Sequence, residues 1–180
     1  QWGVAAHYTP AMRAFALAKN AGPGSIAHEW FHAFDHYIAG KSIIDPAPLD
    51  FASSAWTNQR PTIDHPLNQL LFACFEKIFY QPDSRVASPL LLAAQQADRR
   101  AGRRYYSLPA EMCARAFEAF VQDAAIKNTY LVKGTRQSAE AELGLYPKAT
   151  QRSEVNRAFA RYFSTLGALL HKSPQGSSAG

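Results

Sequence analysis

His28 and His32, four residues apart in the run His28-Glu29-Trp30-Phe31-His32, constrain this chain more than any other feature. On an α-helix, residues four apart lie about 40° from each other around the axis and about 6 Å apart along it, so both imidazoles can reach one ion from the same face. Glu29 lies about 100° round from His28, beside such an ion rather than on it. Two neutral nitrogen ligands, one base and one open position are what a hydrolytic zinc centre requires, and H-E-x-x-H supplies them on a helix. The flanking residues predict that helix over 24–39. Gly22-Pro23-Gly24 breaks the chain, Ser25 offers a cap and Gly40 a stop. Ala27, Trp30, Phe31, Ala33, Phe34, Tyr37 and Ile38 surround the polar residues, which predicts a largely buried helix. Buried His and Glu must then be paired or bound to something.

A third protein ligand has to come from another element. Asp35 sits on the metal face but almost two turns beyond His28, and a straight helix cannot bring residues 28, 32 and 35 to one ion at bonds of about 2 Å. His36 fits less well, and no glycine turns the chain before Gly40. The best source is the run that begins at Tyr105. Ser107 can cap a helix there and Pro109 suits its first turn. Met112, Ala116, Phe117, Phe120 and Val121 recur at helical spacing. Glu111 falls in the first turn, where the helix dipole alone would favour an acid. Glu118 reads as solvated, or as paired with Arg115 at i+3.

Gly24-Ser25-Ile26-Ala27-His28-Glu29-Trp30-Phe31-His32-Ala33-Phe34-Asp35-His36-Tyr37 resembles the metal helix of the metallopeptidase-like large polyvalent protein-associated domains, which occur in very long proteins of phages and conjugative elements. Ala6-His7-Tyr8, Ala14-Phe15-Ala16-Leu17, the Tyr106–Glu111 stretch and Ala114-Arg115-Ala116-Phe117-Glu118 resemble the same family. More distantly, both motifs are similar to the catalytic domain of anthrax lethal factor, a gluzincin-type zinc metallopeptidase. The resemblance implies zinc ligands His28, His32 and Glu111, with Glu29 as general base. It also implies an oxyanion-stabilising tyrosine seven residues before Glu111, but Arg104 stands there, so the role passes to Tyr105 or Tyr106, with Tyr105 nearer in register. Where related peptidases place a carboxylate that orients a histidine, this chain has Arg115. Asp35 is then the acid expected to sit behind the ligands, since metal-bound imidazoles usually donate their other N–H to a carboxylate or carbonyl, and Arg115 is its expected partner.

The expected fold is α+β and mostly helical, a zincin-like metallopeptidase with a small antiparallel β element before the metal helix. One domain over 1–172 fits the length, with a Gly/Ser-rich flexible tail at 173–180. Strands are predicted at 3–8 and 13–18, and helices at 24–39, 66–80, 85–101, 109–126 and 151–170. Residues 41–64 read as a long loop over the cleft and 127–150 as a second irregular stretch. Phe15, Ala16 and Leu17, in the segment 15–19, are the expected edge for an extended peptide substrate. Cys74 and Cys113 lie in apolar helical contexts and read as buried thiols, which suits a reducing, cytoplasmic setting or delivery into a recipient or host cell. No run of 18 apolar residues exists, which excludes a membrane span of that kind. The start at Gln1, without Met, reads as a piece of a longer chain, and a monomer is expected.

These features imply a zinc metalloendopeptidase acting on protein or peptide substrates, with Glu29 moving the proton and Zn²⁺ as cofactor. The rival readings are a metal-binding but catalytically idle docking domain of a large delivered protein, and a nucleic-acid contact through Arg99–Arg104. The net charge of +5 is partly concentrated in that run, but no aromatic interleaving accompanies it.

Overall fold

The computed structural model describes residues 6–17, 25–125 and 128–172, with Ala6, Phe15–Leu17 and Lys172 described by their backbone. Seven helices are found among them: α1 (Ile26–Ser42), α2 (Ala52–Thr57), α3 (Pro66–Phe79), α4 (Pro89–Ala101), α5 (Pro109–Asp123), α6 (Ala139–Glu142) and α7 (Ala149–Lys172). Two short strands, β1 (Ala6–Thr9) and β2 (Ala14–Leu17), pair antiparallel with Ala6 opposite Leu17 and Thr9 opposite Ala14. A 3-10 turn at Pro10–Met12 and the left-handed Arg13 (φ 47°) close that hairpin. The expectations that fall on residues 1–5, 18–24, 126–127 and 173–180 lie outside the described residues, among them the ends of both strands and the tail.

The chain is mostly helical, as its sequence predicts. Proline at the first position starts α3, α4 and α5, where a missing N–H costs nothing. Ser88 caps α4 by accepting from Leu91 N–H (3.1 Å) while its hydroxyl donates to Ile78 O (2.7 Å), so it also fastens α4 to the end of α3. Two predicted caps are not made. Ser25 precedes α1 without a side-chain hydrogen bond, and the Ser107 hydroxyl turns back to Asp98. Gly40 does not stop α1, which runs two residues further; Ile63 N–H and the Asn68 side-chain amide instead satisfy the end carbonyls of Ser42 and Lys41.

The core lies where α1, α5, α3 and α7 meet. Phe31, Phe117 and Phe159 interlock at centroid distances of 5.2–5.8 Å in tilted and edge-to-face geometry. Phe75, Phe79 and Leu71 fill the layer between α3 and its neighbours, fully buried. α1 buries less of its circumference than its sequence predicts. Ala27, Phe31, Ile38 and Ala39 are inside, whereas Trp30 and Tyr37 are exposed. Trp30 instead stacks flat on Phe34 and Phe117, covering the core from outside. Cys74 and Cys113 are both free and buried, as expected, and no helix among the described residues is long and apolar enough to cross a membrane.

Both stretches read as irregular contain a short helix: α2 within 41–64 and α6 within 127–150. The second stretch is held by one cation. Arg152 on α7 reaches Asp123 through Nε (2.7 Å) and an Nη (2.9 Å), Thr135 Oγ1 (2.8 Å), and the carbonyls of Ala119 and Thr135. Asp123 also accepts from Arg136 and Asn156. Leu131 O in turn accepts Ala27 N–H (3.0 Å), an otherwise unpaired donor in the first turn of α1.

Hydrogen bonds from Arg152, helped by Arg136 and Asn156, outweigh the opposing effect of burial and hold the Asp123 carboxyl well below the usual carboxylate range. A carboxylate whose folded-state pKa is depressed contributes stability above its unfolded value of about 3.9 and loses it as pH falls below that. Asp123→Asn is therefore expected to cost roughly 1–3 kcal/mol at pH 7 and clearly less at about pH 2, closer to the depressed folded-state value. Urea denaturation at both pH values checks this; equal losses would remove Asp123 from the acid response.

Candidate metal centre

α1 and α5 pack together and carry the polar residues face to face. His28 Nε2 and His32 Nε2 stand 3.1 Å apart. One Glu111 oxygen lies 3.4 Å from His28 Nε2 and the other 3.2 Å from His32 Nε2. Ligand atoms around a tetrahedral ion at bonds of about 2.0–2.1 Å are separated by about 3.3–3.4 Å. Two imidazole nitrogens and a carboxylate facing one another at that spacing fit a divalent cation. No other group of three His, Cys, Asp or Glu residues among the described residues converges in this way. Asp35 and His36 are not in the group, in keeping with their rejection on helix geometry, and neither is Cys113.

The electrostatics favour a cation. Burial would push the His28 imidazole down, but Glu111 and Glu118 outweigh it and raise it to about 9. Burial would push the Glu111 carboxyl up, but His28 and His32 hold it well below the carboxylate range. The pocket thus keeps its carboxylate ionised and draws positive charge to Nε2, which a metal ion supplies with neutral imidazoles.

The acid behind His28 is Glu118, not the solvated or Arg115-paired residue that its sequence position suggests. It is buried, accepts from His28 Nδ1–H, and takes a second hydrogen bond from the Tyr146 hydroxyl (2.9 Å). A carboxylate can only accept, so Nδ1 carries hydrogen and Nε2 is left towards His32 and Glu111. Glu111 and Glu118 are seven residues apart, two helical turns on the same face. That spacing is the sequence signal that could have found Glu118.

Asp35 is fully buried but does not meet Arg115. It accepts from Ser53 N–H (2.9 Å) and Ser53 Oγ–H (2.5 Å), both on α2, which the sequence did not reveal. Burial raises its carboxyl to about 6 against the lowering effect of those two bonds. Asp35 therefore fastens α2 and the preceding Phe51 beside the site, where the Phe51 ring meets His32 edge-on. His32 Nδ1 itself is buried without a hydrogen-bond partner. Arg115, also buried, reaches Glu111 (3.4 Å) and lies over the rings of Tyr105 and Tyr106.

One cleft is lined by His7, Tyr8, Glu29, His32, Phe51, Tyr105, Leu108, Ala110 and Glu111. Glu29 Oε2 accepts Tyr8 N–H (2.7 Å), so β1 fixes one carboxylate oxygen. Tyr105 is in this cleft and Tyr106 is packed against the core. Asp98 sets their placement by accepting the N–H groups of Tyr105 (2.9 Å), Tyr106 (2.7 Å) and Ser107 (3.0 Å). Burial first, then the charge of Glu111, raises the Tyr105 hydroxyl above its ordinary value, so it remains a proton donor at neutral pH. β2, with Phe15–Leu17, is the hairpin strand antiparallel to β1.

Glu118→Ala is expected to weaken zinc binding roughly 10- to 100-fold, because the His28 ring loses its orienting acceptor. Asp35→Ala should instead lower stability by about 1–3 kcal/mol and leave zinc affinity nearly unchanged. Chelator competition and thermal melts separate the two. A Glu118 variant with unaltered zinc affinity would show that Glu118 only fills space.

Residues 97–170, from the end of α4 into α7, match the family model of large polyvalent protein-associated domain 1. The match takes in Tyr105, Glu111, Arg115, Glu118 and Tyr146 and leaves out α1. No curated protein and no solved structure matches the chain. The C-terminal part of this chain is thus similar to a domain associated with large polyvalent proteins.

Proposed function

We propose that this chain is a zinc-dependent peptidase domain of zincin-like arrangement, a hydrolytic module of a large polyvalent protein. The observation that carries the reading is that Glu29, His32, Glu111 and Tyr105 share one cleft, with His28 completing the ligand set. A zinc ion held by His28, His32 and Glu111 would acidify a water and polarise the scissile carbonyl.

The chain's own residues would do the rest. Tyr8 N–H holds one oxygen of Glu29, which leaves the other to take a proton from the attacking water and return it to the leaving amine. The protonated Tyr105 hydroxyl donates to the oxyanion as charge develops, and Arg115 holds the Tyr105 ring from behind. Glu118 keeps the His28 ring turned for its role. A base beside the ligand cluster favours an enzyme over a docking domain, which has no use for one.

Glu29→Gln should retain zinc and lose peptide hydrolysis by roughly 100- to 10,000-fold, because an amide cannot accept the proton. The check is zinc content together with cleavage of a broad peptide library. Wild-type rates in that variant would remove Glu29 from the mechanism. A zinc-loaded wild-type chain that cuts nothing in the library would favour the docking reading.

A further inference from the structure

Beside the cleft of the candidate metal site lies a second cavity of about 510 Å³, whose lining includes Tyr8, Arg13, His36, Tyr37, Lys41 and Pro48. Tyr8 lines both, so the two are neighbours. The lining holds two permanent cations, Arg13 and Lys41, and no carboxylate. Neither cation has an ion-pair partner among the described residues. Nearby Asp50 is already occupied by Arg60 and Ala47 N–H. The walls are fixed rather than loose. The Tyr8 hydroxyl bonds His36 Nδ1 (2.8 Å), and His36 Nε2–H donates to Pro48 O (2.8 Å), so one imidazole ties hairpin, α1 and the 46–48 segment together. Arg13 is held at the hairpin turn by its own N–H to Pro10 O (3.1 Å).

Position relates this cavity to the site. The face of α1 that carries Glu29 and His32 continues through His36 to Gly40. At 1.5 Å per residue, the α1 wall of the cavity runs from His36, about 6 Å along the axis from His32, to Lys41, about 13.5 Å along it. An extended peptide advances about 3.3 Å per residue, so a side chain two to four residues from the scissile bond arrives at the cavity. We propose that Arg13 and Lys41 form a subsite that selects polypeptide substrates with an Asp or Glu two to four residues from the cut bond. The inference deepens the peptidase reading and rests on it for the position of the cut.

Two measurements test it. The first is cleavage, by zinc-loaded wild type, of peptides that differ only in Glu or Gln scanned along the sequence. Glu at the stated distance should be preferred roughly fivefold, an advantage that shrinks as salt rises. The preference should vanish in Arg13→Gly/Lys41→Ala and invert towards Lys in Arg13→Glu/Lys41→Glu. Glycine suits the left-handed backbone at position 13, so that variant is expected to fold. The second is fluorescence anisotropy of the same peptides on zinc-loaded Glu29→Gln, which needs no hydrolysis; its amide oxygen still accepts Tyr8 N–H. Tighter binding of the Glu peptide, lost with Arg13 and Lys41, supports the subsite even if no peptide is ever cut. Equal binding of Glu and Gln peptides, or a preference that survives loss of both cations, overturns it.

Discussion

The His28 ring, held between two carboxylates of α5, is the contact on which the rest of the site depends. Glu118 takes the Nδ1 hydrogen and Glu111 faces Nε2, so one imidazole joins α1 to two successive turns of α5. One buried and one partly buried acid at that spacing are tolerable only with positive charge or hydrogen-bond donors between them. Arg115, Tyr146 and the two histidines supply these. The aromatic packing of Phe31 on Phe117 beneath the site keeps the helices close enough for the polar contacts to form.

A second tier of anchors sets the site's edges. Asp98 gathers three successive N–H groups and so fixes where Tyr105 leaves the chain and where α5 begins. Asp35 anchors α2 through the N–H and the hydroxyl of Ser53. Arg152 holds the segment whose Leu131 carbonyl caps α1 and whose Tyr146 supports Glu118. In each case a buried charged group is satisfied by backbone or side-chain partners on a neighbouring segment, the usual condition for irregular chain inside a small domain. The first turn of α5, the wall of the cleft and the first turn of α1 are therefore positioned by polar bonds rather than by apolar packing alone.

The hairpin has a different part. It contributes one backbone N–H to Glu29 and one hydroxyl to His36, and its turn carries Arg13 to the rim of the second cavity. Glu29 and the second cavity are thus linked through a single residue, Tyr8. A peptide lying along α1 would meet the cluster around His32 first and the Arg13 and Lys41 side two to four residues later.

The sequence by itself determined what depends on neighbours a few residues away. The i, i+4 histidines, the proline that opens α5 and the recurrence of apolar residues at helical spacing are local, and they placed five long helices and the H-E-x-x-H face within about four residues of where they stand, α4 beginning at Pro89 rather than at residue 85. The reach of Glu111 to the histidines lay in no spacing; it was expected from family resemblance. Three-dimensional packing alone decided which acid stands behind which imidazole. From its sequence Glu118 is one more charge on a helix, and Asp35 sits one turn beyond His32. Only the apposition of α1 with α5, and of α2 with α1, gives the first to His28 and the second to Ser53. Such contacts join residues 90 and 18 positions apart. They are set by burial and by the pairing that buried charge demands, and periodicity along the chain carries no record of them.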